Sequence, residues 1–292
     1  MASLRQIRSR LRSIGSTKQI MRAMQLVSAS KLKRAQGRML QARSMAEFLD
    51  ELLRRVLAAT GEISHPLVGD SPLRGQSPSL LVVFSSDAGL CGAYNANLIQ
   101  LAEATLKRDT LKTTQLIFIG KKAHRYFTKR GYTAVESYLD LAGRPDLKKA
   151  DAIARTVMER FTSGQVGSVH LLYAKFVSAT TSKPTLLQWL PIELGQATRS
   201  PGHPVTPSEY IFEPSPQRVF EDLLPRWALA KFQLIMLEAF TAEHSARMIA
   251  MKNATDNAEE ILKSLTLQRN KIRQAAITKE LSEIVGTAEA LK

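Results

Sequence analysis

The chain has 292 residues, 44% of them hydrophobic and 23% charged, which is ordinary for a water-soluble fold with a buried core. No apolar run approaches the ~18 residues a spanning helix needs. A lone cysteine, Cys91, excludes an internal disulfide and a zinc site and points to a reducing, cytosolic setting. The net charge of +15 asks for an anionic partner, whether nucleic acid, a lipid surface or acidic protein. Most of that charge stands in the head, where about 13 Lys/Arg face about 3 Asp/Glu in the first 60 residues. His65, His124, His170, His203 and His244 are scattered, without metal-ligand spacing.

The first element is a long helix over residues 1–60. Leu4, Ile7, Leu11, Ile14 and Met21, then Leu32, Ala35, Met39, Ala42, Ala46, Leu49, Leu53 and Val56, recur at alternating steps of three and four. That is a coiled-coil seam. Lys18, Gln25 and Ser28 fall on it and interrupt it. No proline precedes Pro66, and at ~1.5 Å per residue such a helix is a rod of about 80 Å. The Arg- and Ser-rich start also has the composition of a transit peptide, but the seam continues in register past any cleavage point.

Loop composition follows from Gly61 to Ser79. Then strands alternate with helices. Ser79–Ser85 reads as a buried strand, Ala96–Lys107 as a helix, and Gln115–Gly120 as a second strand. Lys121–Arg130 and Asp146–Thr162 are helical. Val169–Val177 and Thr185–Leu194 pair as strands. This texture, over residues 61–217, predicts an inserted Rossmann-like α/β domain with a largely parallel sheet. The Pro-rich Gln196–Pro216 stretch is a connector.

The tail, residues 218–292, is helical again, with Pro225 tolerated near its start. Its seam is Met248, Met251, Thr255, Ala258, Leu262, Leu265, Arg269, Ile272 and Ala276, and the phase then shifts to Ile277, Leu281, Ile284, Ala288 and Leu291. About 70 residues make a second rod of about 105 Å. The expected fold is mixed α/β and α+β: a long antiparallel two-helix coiled coil of head and tail with the α/β domain inserted between them. Small seam residues, Ala42, Ala46, Ala258 and Ala276, let the backbones approach. The tail outruns the head, so its end should project alone.

Several segments could carry chemistry. The turn Ser85–Asn95 follows a strand and precedes a helix, where open α/β sheets bind ligands, and Gly89 and Gly92 could present backbone N–H groups to a phosphate. Its spacing matches neither G-x-G-x-x-G nor the Walker loop. It therefore reads as a tight turn, with a nucleotide-binding enzyme as an alternative. Cys91 in that turn lacks a nearby histidine and reads as a packed thiol. Glu243 and His244 lack a second metal ligand and read as surface or interface groups. Lys18, Arg22, Lys31, Lys33, Arg34 and Arg38 could track phosphates, which keeps a basic coiled-coil nucleic-acid binder as a further alternative. No aromatic residue interleaves before Phe48 to stack on bases.

Three stretches then carry a resemblance. IRSRLRSIGSTKQIMRAMQLVSASKLKRAQ in the head, SSDAGLCGAYNANL in the middle, and EHSARMIAMKNATDNAEEIL with LTLQRNKIRQAAITKELSEIVGTAEAL in the tail resemble the F-type ATP synthase gamma subunit, bacterial type. The resemblance spans essentially the whole chain. Ala88 stands where the family usually has Arg, Arg269 where it has Tyr, Lys279 where it has Gln and Thr287 where it has Gly. The match starts near Met1, leaving no room for a transit peptide, and the two-cysteine insertion of chloroplast versions is missing. The resemblance implies one copy of a rotary shaft inside a ring of three alpha and three beta subunits. It would rest on the epsilon subunit and the membrane c-ring, at the cytoplasmic face of a bacterial inner membrane, with no cofactor, no bound nucleic acid and no catalytic residue of its own. It also implies contacts to the ring from Lys18, Met21, Arg22 and Met24 in the head and Arg247, Arg273, Gln274, Thr278 and Glu280 in the tail.

Overall fold

The computed structural model describes residues 4–60, 65–69, 77–108, 114–141, 143, 146–193 and 212–290. Helix α1 spans Leu4–Thr60. The strands and helices that follow are β1 (Ser79–Phe84), α2 (Tyr94–Arg108), β2 (Gln115–Ile119), α3 (Lys121–Thr128), β3 (Ala134–Tyr138), α4 (Leu147–Thr162), β4 (Ser168–Phe176) and β5 (Ser182–Leu190). Helix α5, Pro216–Ala290, closes the chain and carries Pro225 within it. Most of the Gln196–Pro216 connector lies outside the described residues. The chain divides into two compact units, Ser30–Ala246 and, apart from it, Met1–Ala29 with Arg247–Lys292. These boundaries fall inside the two long helices, whereas composition alone places them at the helix ends.

In the helical unit, α1 is shielded on one stripe only. Ile7 and Ser28 are buried, and Leu4, Leu11, Ile14, Lys18, Met21, Met24 and Gln25 are half-buried. On α5 the stripe is Met251, Thr255 and Ala258, buried, with Leu262, Leu265, Arg269 and Ile272 half-buried. The steps of three and four are those of a two-helix seam. Lys18 lies on the seam without breaking it, because its Nζ reaches Glu259 across the pair at 3.0 Å. That hydrogen bond, then the lysine charge, holds the Glu259 carboxyl below its ordinary range. The bond joins Lys18 of α1 to Glu259 of α5, and further along the same two helices Arg43 meets Glu238 and Asp50 meets Lys231, so the numbering runs in opposite directions and the pair is antiparallel. Counting on from it, Leu4 faces about position 273, and every residue with described exposure from Arg273 to Thr287 is exposed. Ala276 has the right place on the helix but is exposed, lying past the position that Leu4, the first described residue of α1, faces.

The α/β unit is organised by one sheet of order β3-β2-β1-β4-β5. Strands β1, β2, β3 and β4 are parallel and β5 is antiparallel to β4. Alternate residues serve opposite faces, as the strand period of two requires. Leu80, Val82, Phe84, Ile117, Ile119, Val169 and Leu171 belong to a core completed by Ile153, Val157 and Phe161 of α4, Leu49, Leu53 and Val56 of α1, and Phe220, Leu224, Phe232 and Phe240 of α5. On the other face Phe118 stacks on Phe127 of α3, ring centroids 5.5 Å apart. Asp146 caps α4, accepting from the backbone of Lys148 and Lys149. Helix α1 and α5 are also tied by polar contacts here. Arg43 meets Glu238 at 2.8 Å, and the buried carboxylate of Asp50 accepts from Trp227 Nε1 at 2.5 Å and Lys231 Nζ at 2.7 Å.

Strand β3 is the element composition misses. Its burial alternates between half-buried and exposed, and Glu136 sits at its centre. Arg160 of α4 pairs with that glutamate at 2.6 Å, and Tyr138 Oη donates to it. Burial pushes the Tyr138 phenol up to about 12, helped by the Glu136 carboxylate.

Candidate functional site

The Ser85–Asn95 turn is closed on itself. Ser86 Oγ donates to Ala88 O at 2.6 Å and accepts from Asn95 Nδ2 at 2.8 Å, while Asn95 Oδ1 accepts from Ser86 N at 3.0 Å. Asn95 Nδ2 also lies 3.0 Å from the buried Cys91 Sγ. The first amides of α3, an anion site by default, are taken by the same turn. Lys121 N donates to Asp87 Oδ1 at 3.1 Å, Lys122 N to Ser86 O at 3.0 Å, and Ala123 N to Ser85 Oγ at 3.1 Å. The N-terminal amides of α3 are thus occupied by the chain's own acceptors, Asp87 Oδ1 among them. Among the described residues no group of His, Cys, Asp and Glu could hold a metal ion.

Three segments beyond the carboxyl ends of the parallel strands, the start of α2 and two loops, meet the same stretch of α5. Tyr94, after β1, donates from Oη to Ala239 O at 3.1 Å. Gly143, after β3, offers its carbonyl to His244 Nε2 at 2.9 Å. Ala179, after β4, accepts from Ser245 Oγ. Glu243 and His244 are each only 2% exposed. Of the two readings, surface or interface groups, burial excludes the surface one: the pair is packed inside the chain against segments distant in sequence, which no local spacing reveals. Ligands in open α/β sheets bind at the carboxyl edge. In this chain that edge is filled by its own helix.

The residues expected to meet a ring are distributed unevenly. Arg273, Gln274, Thr278 and Glu280 all lie on the fully exposed end of α5. Beside them runs an apolar stripe, Ile277, Leu281, Ile284 and Val285, 48–64% exposed. A polar row next to an exposed apolar row, on a stretch of helix that no described residue shields, is surface left for something else to cover. Arg22 is exposed, as are Lys31, Lys33 and Arg34. Met21 and Met24 are half-buried on the seam side of α1, and Lys18 is engaged by Glu259. Arg247 is buried, so its guanidinium serves the chain's own packing first. No described helix is long and apolar enough to cross a membrane.

Comparison with known proteins finds relatives along the whole length of the chain. A family model described as ATP synthase matches residues 3–291. The ATP synthase gamma chain of Symbiobacterium thermophilum is 41% identical over 286 residues, covering 98% of this chain and 97% of that one. That of Desulforamulus reducens is 41% identical over the full length of both. Among solved structures, the rotor of the Euglena gracilis mitochondrial ATP synthase superposes with a TM-score of 0.65 at 18% identity, over 94% of this chain and 98% of that one. The central stalk and c-ring structure from Tetrahymena thermophila mitochondria gives 0.58 at 23% identity, over 80% and 99%. These two show the shared fold of long terminal helices around an α/β sheet. With full-length relatives at this identity, the chain belongs to the ATP synthase gamma chain family.

Proposed function

We propose that the chain is the central-stalk rotor subunit of a proton-translocating F-type ATP synthase. One copy would turn inside a ring of three alpha and three beta subunits. It would be seated on the epsilon subunit and the c-ring at the cytoplasmic face of a bacterial inner membrane. The chain is non-catalytic in this reading: phosphate chemistry belongs to the ring, and each angle of the shaft biases a beta subunit among its conformations. The observation that carries the proposal is the unpartnered end of α5, with its apolar stripe and the exposed Arg273, Gln274, Thr278 and Glu280. The flexible, half-buried side chains of Met21 and Met24 on α1 suit a bearing, where contacts exclude water without locking. The exposed basic residues of α1, Arg22, Lys31, Lys33 and Arg34, suit acidic loops of a surrounding ring. No observation favours nucleic acid as the partner.

The test replaces Arg273 and Gln274 together by alanine and reconstitutes the complete complex. Both side chains are exposed, so the chain folds as before. A charge-assisted hydrogen bond made in only one rotary state contributes about 1.5–3 kcal/mol, so ATP hydrolysis or ATP-driven proton pumping should fall by about tenfold or more. Full assembly with both activities unchanged would show that this face of α5 meets nothing that matters to coupling.

A further inference from the structure

Three segments, the start of α2 and the loops after β3 and β4, close on α5 with polar groups aimed at its backbone or side chains, over the short stretch Ala239–Ser245. We propose that they form a collar through which the α/β unit grips the helix and passes torque to it, with Tyr94, His244 and Ser245 as positioning residues for energy coupling. The inference rests on the rotor reading and adds to it where the shaft is held.

Apolar packing resists sliding and turning through many individually weak contacts. Directional bonds add an angular preference of their own. Rotating α5 about its axis would carry His244 Nε2 off the Gly143 carbonyl, Ser245 Oγ off the Ala179 carbonyl and the Ala239 carbonyl off Tyr94 at once. Each donor and acceptor would then be stranded away from water, since Glu243, His244 and Ser245 are buried. Unsatisfied buried polar groups are costly, so a slipped state is strongly disfavoured. The fit at Gly143 is also steric. Its φ is +61°, and a Cβ placed there would stand 2.8 Å from the His244 ring and 3.4 Å from Glu243 Oε2. Only glycine brings that loop down onto the helix. The carbonyl can only accept, so His244 must carry its proton on Nε2. The three segments follow three of the four parallel strands, so the grip comes from the carboxyl edge of the sheet rather than from a single loop.

The experiment uses the complete reconstituted complex, with ATP hydrolysis and ATP-driven proton pumping measured in the same preparation. Tyr94→Phe combined with His244→Ala and Ser245→Ala removes the three polar grips while leaving the apolar core in place. Pumping per ATP hydrolysed should drop by about threefold or more while hydrolysis stays within about twofold of wild type, because the end of α5 still engages the ring. His244→Gln, which keeps an N–H donor, should retain more of the pumping ratio than His244→Ala. If the triple variant does not assemble, the single Tyr94→Phe and Gly143→Ala variants carry the test, each expected to lower the same ratio in an assembled complex. A role in folding alone would lower the amount of complex and leave the ratio unchanged, and that result overturns the collar. A wild-type chain that supports no coupled pumping in the same assay would overturn the rotor reading instead.

Discussion

Replacing Gly120 by alanine should unfold the α/β unit or leave it barely stable. Gly120 ends β2, one residue before α3, with φ +101° and ψ 150°. That region of backbone space is essentially reserved for glycine, and a side chain there costs about 1–3 kcal/mol from strain alone. The strain is the lesser part. An added Cβ would lie 2.0 Å from the Ser85 carbonyl oxygen and 2.7 Å from its carbon. These are backbone atoms of the segment leaving β1, held by Ser85 N to Ile119 O at 2.7 Å and by Gly120 N to Tyr138 O at 2.9 Å. They cannot withdraw without parting the central strands at their carboxyl ends. The combined loss should exceed about 4–5 kcal/mol, which is the exceptional end of single substitutions. Urea denaturation followed by circular dichroism measures it. A midpoint within error of the wild type would mean that β1 and β2 are not joined as described. Gly131→Ala is the matched control. It also has a positive φ, +84°, but an added Cβ there meets nothing within 4 Å, so it should cost only about 1 kcal/mol.

The second large effect is expected at Asp50, where α1 and α5 are tied within the α/β unit. Its side chain is 7% exposed and its two oxygens accept from Trp227 Nε1 and Lys231 Nζ. Lys231→Met keeps the aliphatic stem but strands a buried carboxylate. Breaking one side of a buried pair costs about 3–5 kcal/mol. Lys231 is itself about a quarter exposed, so solvent screening puts the loss near the lower end, about 3 kcal/mol. At roughly 2–4 °C per kcal/mol for a unit of this size, Tm should fall by about 6–12 °C. Adding Asp50→Asn should restore most of it. The amide oxygen still accepts from Trp227, and no charge is left unpaired, so the double variant should lie within about 1 kcal/mol of wild type. Differential scanning calorimetry of the two variants decides the matter. Equal losses would show that the lysine stem's packing, rather than the buried charge, holds the helices together.

Much of this architecture is legible in the sequence because it rests on periodicity. Met251, Thr255, Ala258, Leu262 and Ile272 fall on a seam by spacing, and they are the shielded residues of α5. The core strands β1 and β2 are legible because five successive residues of each are buried or nearly so on both faces. What periodicity cannot show is how far a partner's cover reaches. Ala276 has the right phase, yet it is exposed, beyond the stretch of α5 that the described residues of α1 cover. Strand β3 is hidden for a different reason. AVESY carries an acid at its centre, tolerable only because Arg160, on a helix far along the chain, pairs with it. Glu243 and His244 are the same kind of case, since their burial is made by segments after β1, β3 and β4. The exposed Arg273, Gln274, Thr278 and Glu280 come from the family resemblance, and helix geometry alone says only that adjacent residues cannot both face the seam.

The central claim is that this chain turns. In a complex of three alpha and three beta subunits fixed to a surface through beta, a visible rod is attached to Lys129→Cys. Lys129 is exposed and the native Cys91 is buried, so the label has one accessible thiol. On adding ATP the rod should rotate continuously in one direction, pausing as each beta subunit is met, and stop when ATP is withdrawn. A ring that hydrolyses ATP at full rate while the attached rods only fluctuate about fixed angles would contradict the account.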